Sequence, residues 1–144
     1  MSSQKIHQKF GGVVPELASR SHQNNIIPVV SHALKIANIH QNQLNAIAFT
    51  RGPGLLGSLL VGTSFAKSLS LSLDIPLIDV NHMKAHVIAN LINNTDISFP
   101  LLCLTVSGGH TQIVLVKSVY EMNIIGETID DSAGETFDKS AKML

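Results

Sequence analysis

Beyond Leu17, the apolar residues Ile26, Ile27, Val30, Ala33, Leu34 and Ala37 recur at three- and four-residue spacing, the period of a helix buried along one side. Pro15 suits the first turn of that helix, where a missing N–H costs nothing, and Gly11-Gly12 supplies a turn before it. Pro28 predicts a kink or a division in two. The pattern then changes. Ala46-Ile47-Ala48-Phe49 is short, apolar and flanked by polar residues, as a buried strand would be, and Thr50 to Ser58 is a glycine-containing turn. Leu56, Leu59, Leu60, Thr63, Ala66, Leu69 and Leu73 return to helical spacing, with Gly57, Gly62 and Ala66 small enough for close packing on a sheet. Pro76 ends that connection and Leu77 to Val80 reads as a second strand. Strand, helix, strand in this order implies a right-handed crossover and parallel pairing.

A third helix is expected to begin at the histidines of Asn81-His82-Met83-Lys84-Ala85-His86 and to run through Val87, Ala89, Leu91 and Ile92 into the polar loop before Pro100. Leu101 to Val106 is apolar almost throughout, which predicts a strand covered on both faces. Ser107-Gly108-Gly109 reverses the chain, Thr111 to Val116 returns antiparallel to it, and Asn123 to Thr128 adds a third member. The segment from Ile129 starts acidic and finishes with lysines, complementing the dipole of a helix that begins near Ser132 and buries Phe137, Ala141 and Leu144. These elements define an α/β chain, read as a mixed sheet flanked by helices.

Composition narrows the function classes. Of 144 residues, 44% are hydrophobic and 14% charged with a formal net charge of zero, which excludes a disordered chain. It offers no basic run, so any grip on RNA must come from elsewhere in a larger protein or from a partner. The single cysteine, Cys103, rules out an intrachain disulfide and lies in an apolar run as a buried thiol. The polar opening of the chain and the interruption of its apolar runs by glycine and polar residues predict a soluble, cytoplasmic protein without signal peptide or spanning helix.

Residues able to do chemistry concentrate in two places. His82 and His86 stand four apart, so on a helix both imidazoles reach one point where a divalent metal could sit; a solvated surface pair is the alternative. At Ser107 to Thr111, glycines without side chains let backbone N–H groups approach a phosphate or carbonyl oxygen, with Ser107, His110 and Thr111 offering side-chain donors, unless the turn is an ordinary hairpin. Asp138, beside the apolar stripe of the last helix, is placed to hold a ribose hydroxyl pair or to remain solvated. Glu16, Ser19, Arg20 and His22 crowd the start of the first helix as a second candidate edge. Gly52, Gly54 and Gly57 form a literal G-x-G-x-x-G with Asp79 about twenty residues on, the spacing of a dinucleotide site, although Pro53 removes one donor from it.

Five ordered motifs carry a resemblance over nearly the whole chain: Gly11 to His22, the Thr50 to Gly57 turn, His82 to His86, Val106 to Gln112, and Ser132 to Lys139. Together they resemble the tRNA N6-adenosine threonylcarbamoyltransferase family, formerly called O-sialoglycoprotein endopeptidases. The resemblance implies the actin-like ATPase and sugar-kinase fold, ribonuclease H-like, in which two α/β lobes hold ligands between them, with residues 1–144 forming one partial N-terminal lobe. It further implies that His82 and His86 ligate a divalent metal, iron in preference to zinc. Thr105, Val106, Ser107, Gly108 and Gly109, with Asp138, would contact threonylcarbamoyl-AMP, and His110 would be a polar assistant to catalysis.

The implied reaction moves a threonylcarbamoyl group from its adenylate to the exocyclic amine of the adenosine 3′ of the anticodon, in tRNAs reading codons that start with A. Implied partners are tRNA, other threonylcarbamoyladenosine-synthesis proteins including a non-catalytic paralogue, and a C-terminal lobe. This chain departs from the family in lacking the opening strand pair with its Ser-Cys-Asp-Glu type loop, and in lacking the second lobe with its metal-binding aspartate. It is therefore expected to be a truncated or split member, inactive alone. Two other classes compete. A scaffolding paralogue shares the Gly-Pro-Gly turn but is disfavoured by the histidine pair and the Ser107 to His110 loop, and an NAD-binding oxidoreductase fragment rests on the glycine spacing alone. Endopeptidase activity has no base or third ligand placed to activate water.

Overall fold

The computed structural model describes residues 7–94 and 96–144, which divide into two compact units, one ending at His82 and the other running from Met83 to Leu144. In the first, α1 (Pro15–Ala37), β1 (Ile47–Gly52), α2 (Leu56–Leu73) and β2 (Leu77–Asn81) follow the predicted order. β1 and β2 pair in parallel, Ile47 beside Leu77 and Thr50 beside Val80, as the crossover requires. Val30 and Leu34 of α1, Phe49 of β1 and Phe65, Ala66 and Leu69 of α2 line a common apolar cavity, which is where this unit's core lies.

Pro28 does not divide α1, which is one helix of 23 residues. Proline removes a single backbone donor, and the carbonyl it orphans on an exposed face can turn to water. α1 and α2 each end on a left-handed residue, Asn38 and Asp74 at φ 52°, which lets the following N–H groups return to carbonyls of the last turn. Gly57 packs differently from expectation. A Cβ there would lie 3.0 Å from Ser19 Oγ, so its smallness serves the contact with α1 and not the sheet, while Gly62 has nothing within 4 Å. By length and composition α2 could also cross a bilayer, but its place against α1 and β1 is that of a sheet-covering helix.

The hydroxyl of Ser58 is buried and has no hydrogen-bond partner among the described residues. Burying an unpaired hydroxyl is unfavourable, so Ser58→Ala should raise stability by about 1 kcal/mol, seen as a few degrees in Tm. An unchanged or lower Tm would show that the hydroxyl is satisfied.

α3 (His82–Ala89) begins on the last residue of the first unit. It stops three residues short of the predicted Ile92, because the Asn90 side-chain amide donates to the carbonyls of His86 and Val87, and the backbone tightens to three-residue bonds. β3 (Leu101–Val106), β4 (Thr111–Val116) and β5 (Met122–Glu127) form an antiparallel sheet in that order. The described strands therefore make a parallel pair and a separate antiparallel triplet, where one mixed sheet was expected.

Val114 and Val116 pack with Val87 of α3, and Leu101, half-buried Cys103 and Met122 close around them. The other face of β3 is open: Leu102 is 65% and Leu104 64% exposed. The expectation of a strand covered on both faces is thus corrected, since only the odd-numbered positions of this apolar run meet the core. α4 (Ala133–Met143) also departs from expectation, as none of its residues is buried and Phe137 is 76% exposed. It is attached by its first turn and not by its apolar stripe.

Candidate functional site

The turn between β3 and β4 is closed by Ser107. Its backbone N–H donates to the His110 carbonyl at 2.8 Å, and its hydroxyl donates to the same carbonyl at 3.0 Å and accepts from the His110 N–H at 3.0 Å. The one hydroxyl proton of Ser107 is thereby kept within the turn, so toward a ligand this side chain offers a lone pair. The donors left to the turn are its backbone N–H groups.

The start of α4 determines where those donors point. Gly134 N–H donates to the Ser107 carbonyl at 3.2 Å, and the Ser132 hydroxyl donates to the Gly108 carbonyl at 2.8 Å. Ala133 N–H donates to Thr111 Oγ1 at 2.9 Å. In a trans peptide the N–H lies opposite the C=O. With both carbonyls drawn to α4, the N–H groups of Gly108 and Gly109 face away from it, and the Cβ positions of both glycines are open for at least 4 Å. Two fixed donors beside open space suit an anionic or carbonyl oxygen.

Ser132 is 2% exposed and caps α4 as well, accepting from Glu135 N–H at 3.3 Å. Ser132→Ala removes the cap and leaves the Gly108 carbonyl unpaired, so about 2 kcal/mol of stability should be lost. The Gly134 amide, which donates to the Ser107 carbonyl, should then exchange with solvent faster, and protection equal to the parent protein would refute the clamp. The first turn of α4 is further held by Lys139 Nζ, 2.6 Å from Asp131 Oδ1 and 3.2 Å from Glu135 Oε1. Hydrogen bonds to Asp131 first, then to Glu135, raise the Lys139 pKa above the ordinary lysine value, so it stays charged through the neutral range.

Among the other anticipated residues, Thr105 is buried and faces the interior beneath the turn, whereas Val106 is exposed at its edge and pairs with Thr111. His110 is half-buried. Asp138 is exposed on α4, four residues after Gly134, and so shares the side of the helix that meets the turn. His82 and His86 are both exposed and lie one turn apart on α3. As imidazole donors at that spacing they fit a divalent ion such as iron or zinc. They supply a partial set, since the described residues include no group of three or more metal-ligating side chains.

Asp79, the acid of the dinucleotide spacing, is engaged by Arg51 at 3.0 Å across β1 and β2. Glu16 and Arg20 form an exposed pair at 2.6 Å, the ordinary i, i+4 contact of a helix surface. The clamp formed by Ser132, Gly134 and Thr111 was not identified from sequence. The only local signal was the serine N-cap, which speaks of helix initiation and not of a partner 24 residues away.

The strand and helix arrangement places the protein in a mixed α/β class that includes YeaZ from Pseudomonas aeruginosa, which it matches with a TM-score of 0.54 at 19% identity over 74% of this chain and 51% of that one. Residues 1–144 match the family model described as TsaD, tRNA N6-adenosine threonylcarbamoyltransferase. Proteins bearing that name from Christiangramia forsetii and Porphyromonas gingivalis are both 62% identical, each over 100% of this chain. The chain belongs to the tRNA N6-adenosine threonylcarbamoyltransferase family, and it spans 43% and 44% of the length of those two relatives.

Proposed function

We propose that this chain provides part of the active site for transfer of a threonylcarbamoyl group from threonylcarbamoyl-AMP to N6 of the adenosine 3′ of the anticodon, in tRNAs reading codons that begin with A. The observation that carries the proposal is the Ser107–His110 turn, whose Ser107 and Gly108 carbonyls are held by the start of α4, so that the two glycine N–H groups face away from that helix beside open Cβ positions. The N6 lone pair attacks the carbamoyl carbon, the bond from that carbon to the phosphate oxygen breaks, AMP leaves with the electron pair, and the amine gives up a proton. Negative charge grows on the carbonyl or phosphate oxygens as this happens. The N–H groups of Gly108 and Gly109 are fixed before it grows, which is when such donors lower a barrier most.

In this reading Thr105 and Val106 support the turn, Ser107 offers its remaining lone pair, Asp138 takes the ribose hydroxyls of the adenylate, and His110 assists as a polar group. His82 and His86 hold one divalent ion, iron in preference to zinc. Such an ion supplies Lewis-acid binding of the threonylcarbamoyl portion. Residues 1–144 form part of the N-terminal lobe of an actin-like fold, and a C-terminal lobe supplies the other wall of its cleft. The partners are tRNA and other threonylcarbamoyladenosine-synthesis proteins, including a non-catalytic paralogue, and the setting is cytoplasmic, away from membranes.

The test incubates the chain with threonylcarbamoyl-AMP and unmodified tRNA, alone and with the C-terminal part of a relative such as the Porphyromonas gingivalis protein. Modified adenosine is then measured in digested tRNA. Formation only in the reconstituted sample is the expected outcome. No formation in either sample overturns the catalytic reading, and full turnover by the chain alone overturns the need for a second lobe.

A further inference from the structure

β3 ends the antiparallel sheet, and among the described residues no strand pairs with its outer side. The ladder shows which backbone groups face that side. Ser107 N–H donates to the His110 carbonyl across the turn, whereas Thr111, opposite Val106, gives its carbonyl to Thr128 N–H on the β5 side. Backbone groups alternate in direction along an antiparallel strand, and the β3–β4 register runs without a break. Leu101, Cys103 and Thr105 therefore address β4, while Leu102, Leu104 and Val106 hold their N–H and C=O groups toward the free side.

Open edges are ordinarily blocked by charge, proline or a bulge. β5, at the other end of the sheet, is bulged against β4 and finishes on Glu127. β3 has no such device, since Leu101–Val106 contains no charged residue and no proline. A groove of about 400 Å³ lies along it, lined by the consecutive residues Leu101 to Leu104, by Ile88 of α3 and by Leu91 just after that helix. Successive strand residues point to opposite faces, so a cavity touched by all four lies at the strand's edge. None of its described lining residues is charged, and the amide of Asn90 in its wall is already bonded to the His86 and Val87 carbonyls. The groove thus offers apolar surface beside free main-chain groups, which fits an added strand.

We infer that the occupant is β3 of a second copy of this chain, joined antiparallel about a two-fold axis. Two requirements set the register. The core-facing sides of the two sheets must stay together, which pairs even-numbered residues with even-numbered ones, and each free group needs a partner. With Leu104 opposite its own counterpart, Leu102 meets the counterpart of Val106 and all the free groups of these three residues are paired. An axis at Cys103 would instead set Val106 against Pro100, which has no N–H. In the Leu104 register the strand is its own complement, with apolar side chains opposed on the open face and no like charges brought together. Strands, leucines and filled groove would bury roughly 1,000 Å² in total, close to the least that a specific interface needs. The pair should therefore be weak, with a Kd of about 10 μM. The dimer does not depend on the transfer reaction proposed above.

The test sediments the 144-residue chain from about 1 to about 100 μM, where monomer should give way to dimer as concentration rises. Hydrogen exchange at both ends of that range locates the contact. The amides of Leu102, Leu104 and Val106 should gain about tenfold protection or more in the dimer, and those of Cys103 and Thr105, already in the ladder, should change little. Leu104→Pro removes an N–H that addresses only the free side, so it keeps the β3–β4 ladder and should weaken association by about tenfold or more. Leu104→Lys, at an exposed position, brings like charges together at the axis and should act likewise, which covers the case of a proline variant that does not fold. The assignment is overturned by a chain that stays monomeric throughout, by a dimer whose 102, 104 and 106 amides exchange as in the monomer, or by undiminished association of either folded variant. If a chain that is monomeric alone gains this protection on adding the C-terminal part of the Porphyromonas gingivalis relative, the edge belongs to that part and the second copy is withdrawn.

Discussion

Gly134→Ala should separate α4 from the 107–110 turn and abolish threonylcarbamoyl transfer in the reconstituted system. A Cβ at this position would lie 2.7 Å from Gly108 Cα, 2.8 Å from the Ser107 carbonyl oxygen and 3.0 Å from Gly108 N. All three are backbone atoms of a turn already closed by Ser107, so none can swing aside as a side chain would. Relief requires α4 to move, which breaks the bonds from Gly134 N–H and the Ser132 hydroxyl and releases the two glycine peptides they orient. Overpacking and lost hydrogen bonds together should cost about 3 kcal/mol, read from denaturant unfolding of the second unit. The sign is the diagnostic feature. Helix propensity alone predicts that alanine is better than glycine by about 1 kcal/mol, so a stabilised variant would show that the close approach does not exist. For stability alone, Gly109→Ala is the matched control, since its Cβ would meet nothing within 4 Å.

His86→Ala should lower the affinity for a divalent ion by about a hundredfold, the factor lost when two linked donors become one. The measurement is metal content after dialysis of the parent and variant against buffered iron or zinc. Because His86 is exposed on α3, the substitution removes no core packing, and the fold should persist by circular dichroism. His82→Ala should lose metal to a similar degree. Retention of metal by both variants would place the ion elsewhere and withdraw the pair from the site.

Much of the architecture could be read from sequence because each element carries a periodic signal of its own. The parallel pairing of β1 with β2 followed from a strand, an apolar helix and a strand in order, and the antiparallel β3–β4 hairpin from two apolar runs about a tight turn. What could not be read depended on partners distant in sequence. The alternate exposure of Leu102 and Leu104 is invisible in a run that is apolar at every position. The early end of α3 depends on a side chain, Asn90, competing for backbone carbonyls. The histidine pair was legible because helix geometry relates its members directly. The two glycines were legible as a flexible turn, but the direction of their N–H groups was not, because Ser132 and Gly134 set it across the fold.

The open face of β3 has a consequence for handling the protein. Leu102, Leu104 and Val106 stand in a row on one side of the strand, with Ile113 of β4 beside Leu104. Such a row should capture a fluorescent hydrophobic dye in the native state, so a bright dye signal would not by itself report misfolding. Sulfate-rich buffers, which strengthen apolar association, should drive the chain out of solution sooner than chloride at the same ionic strength.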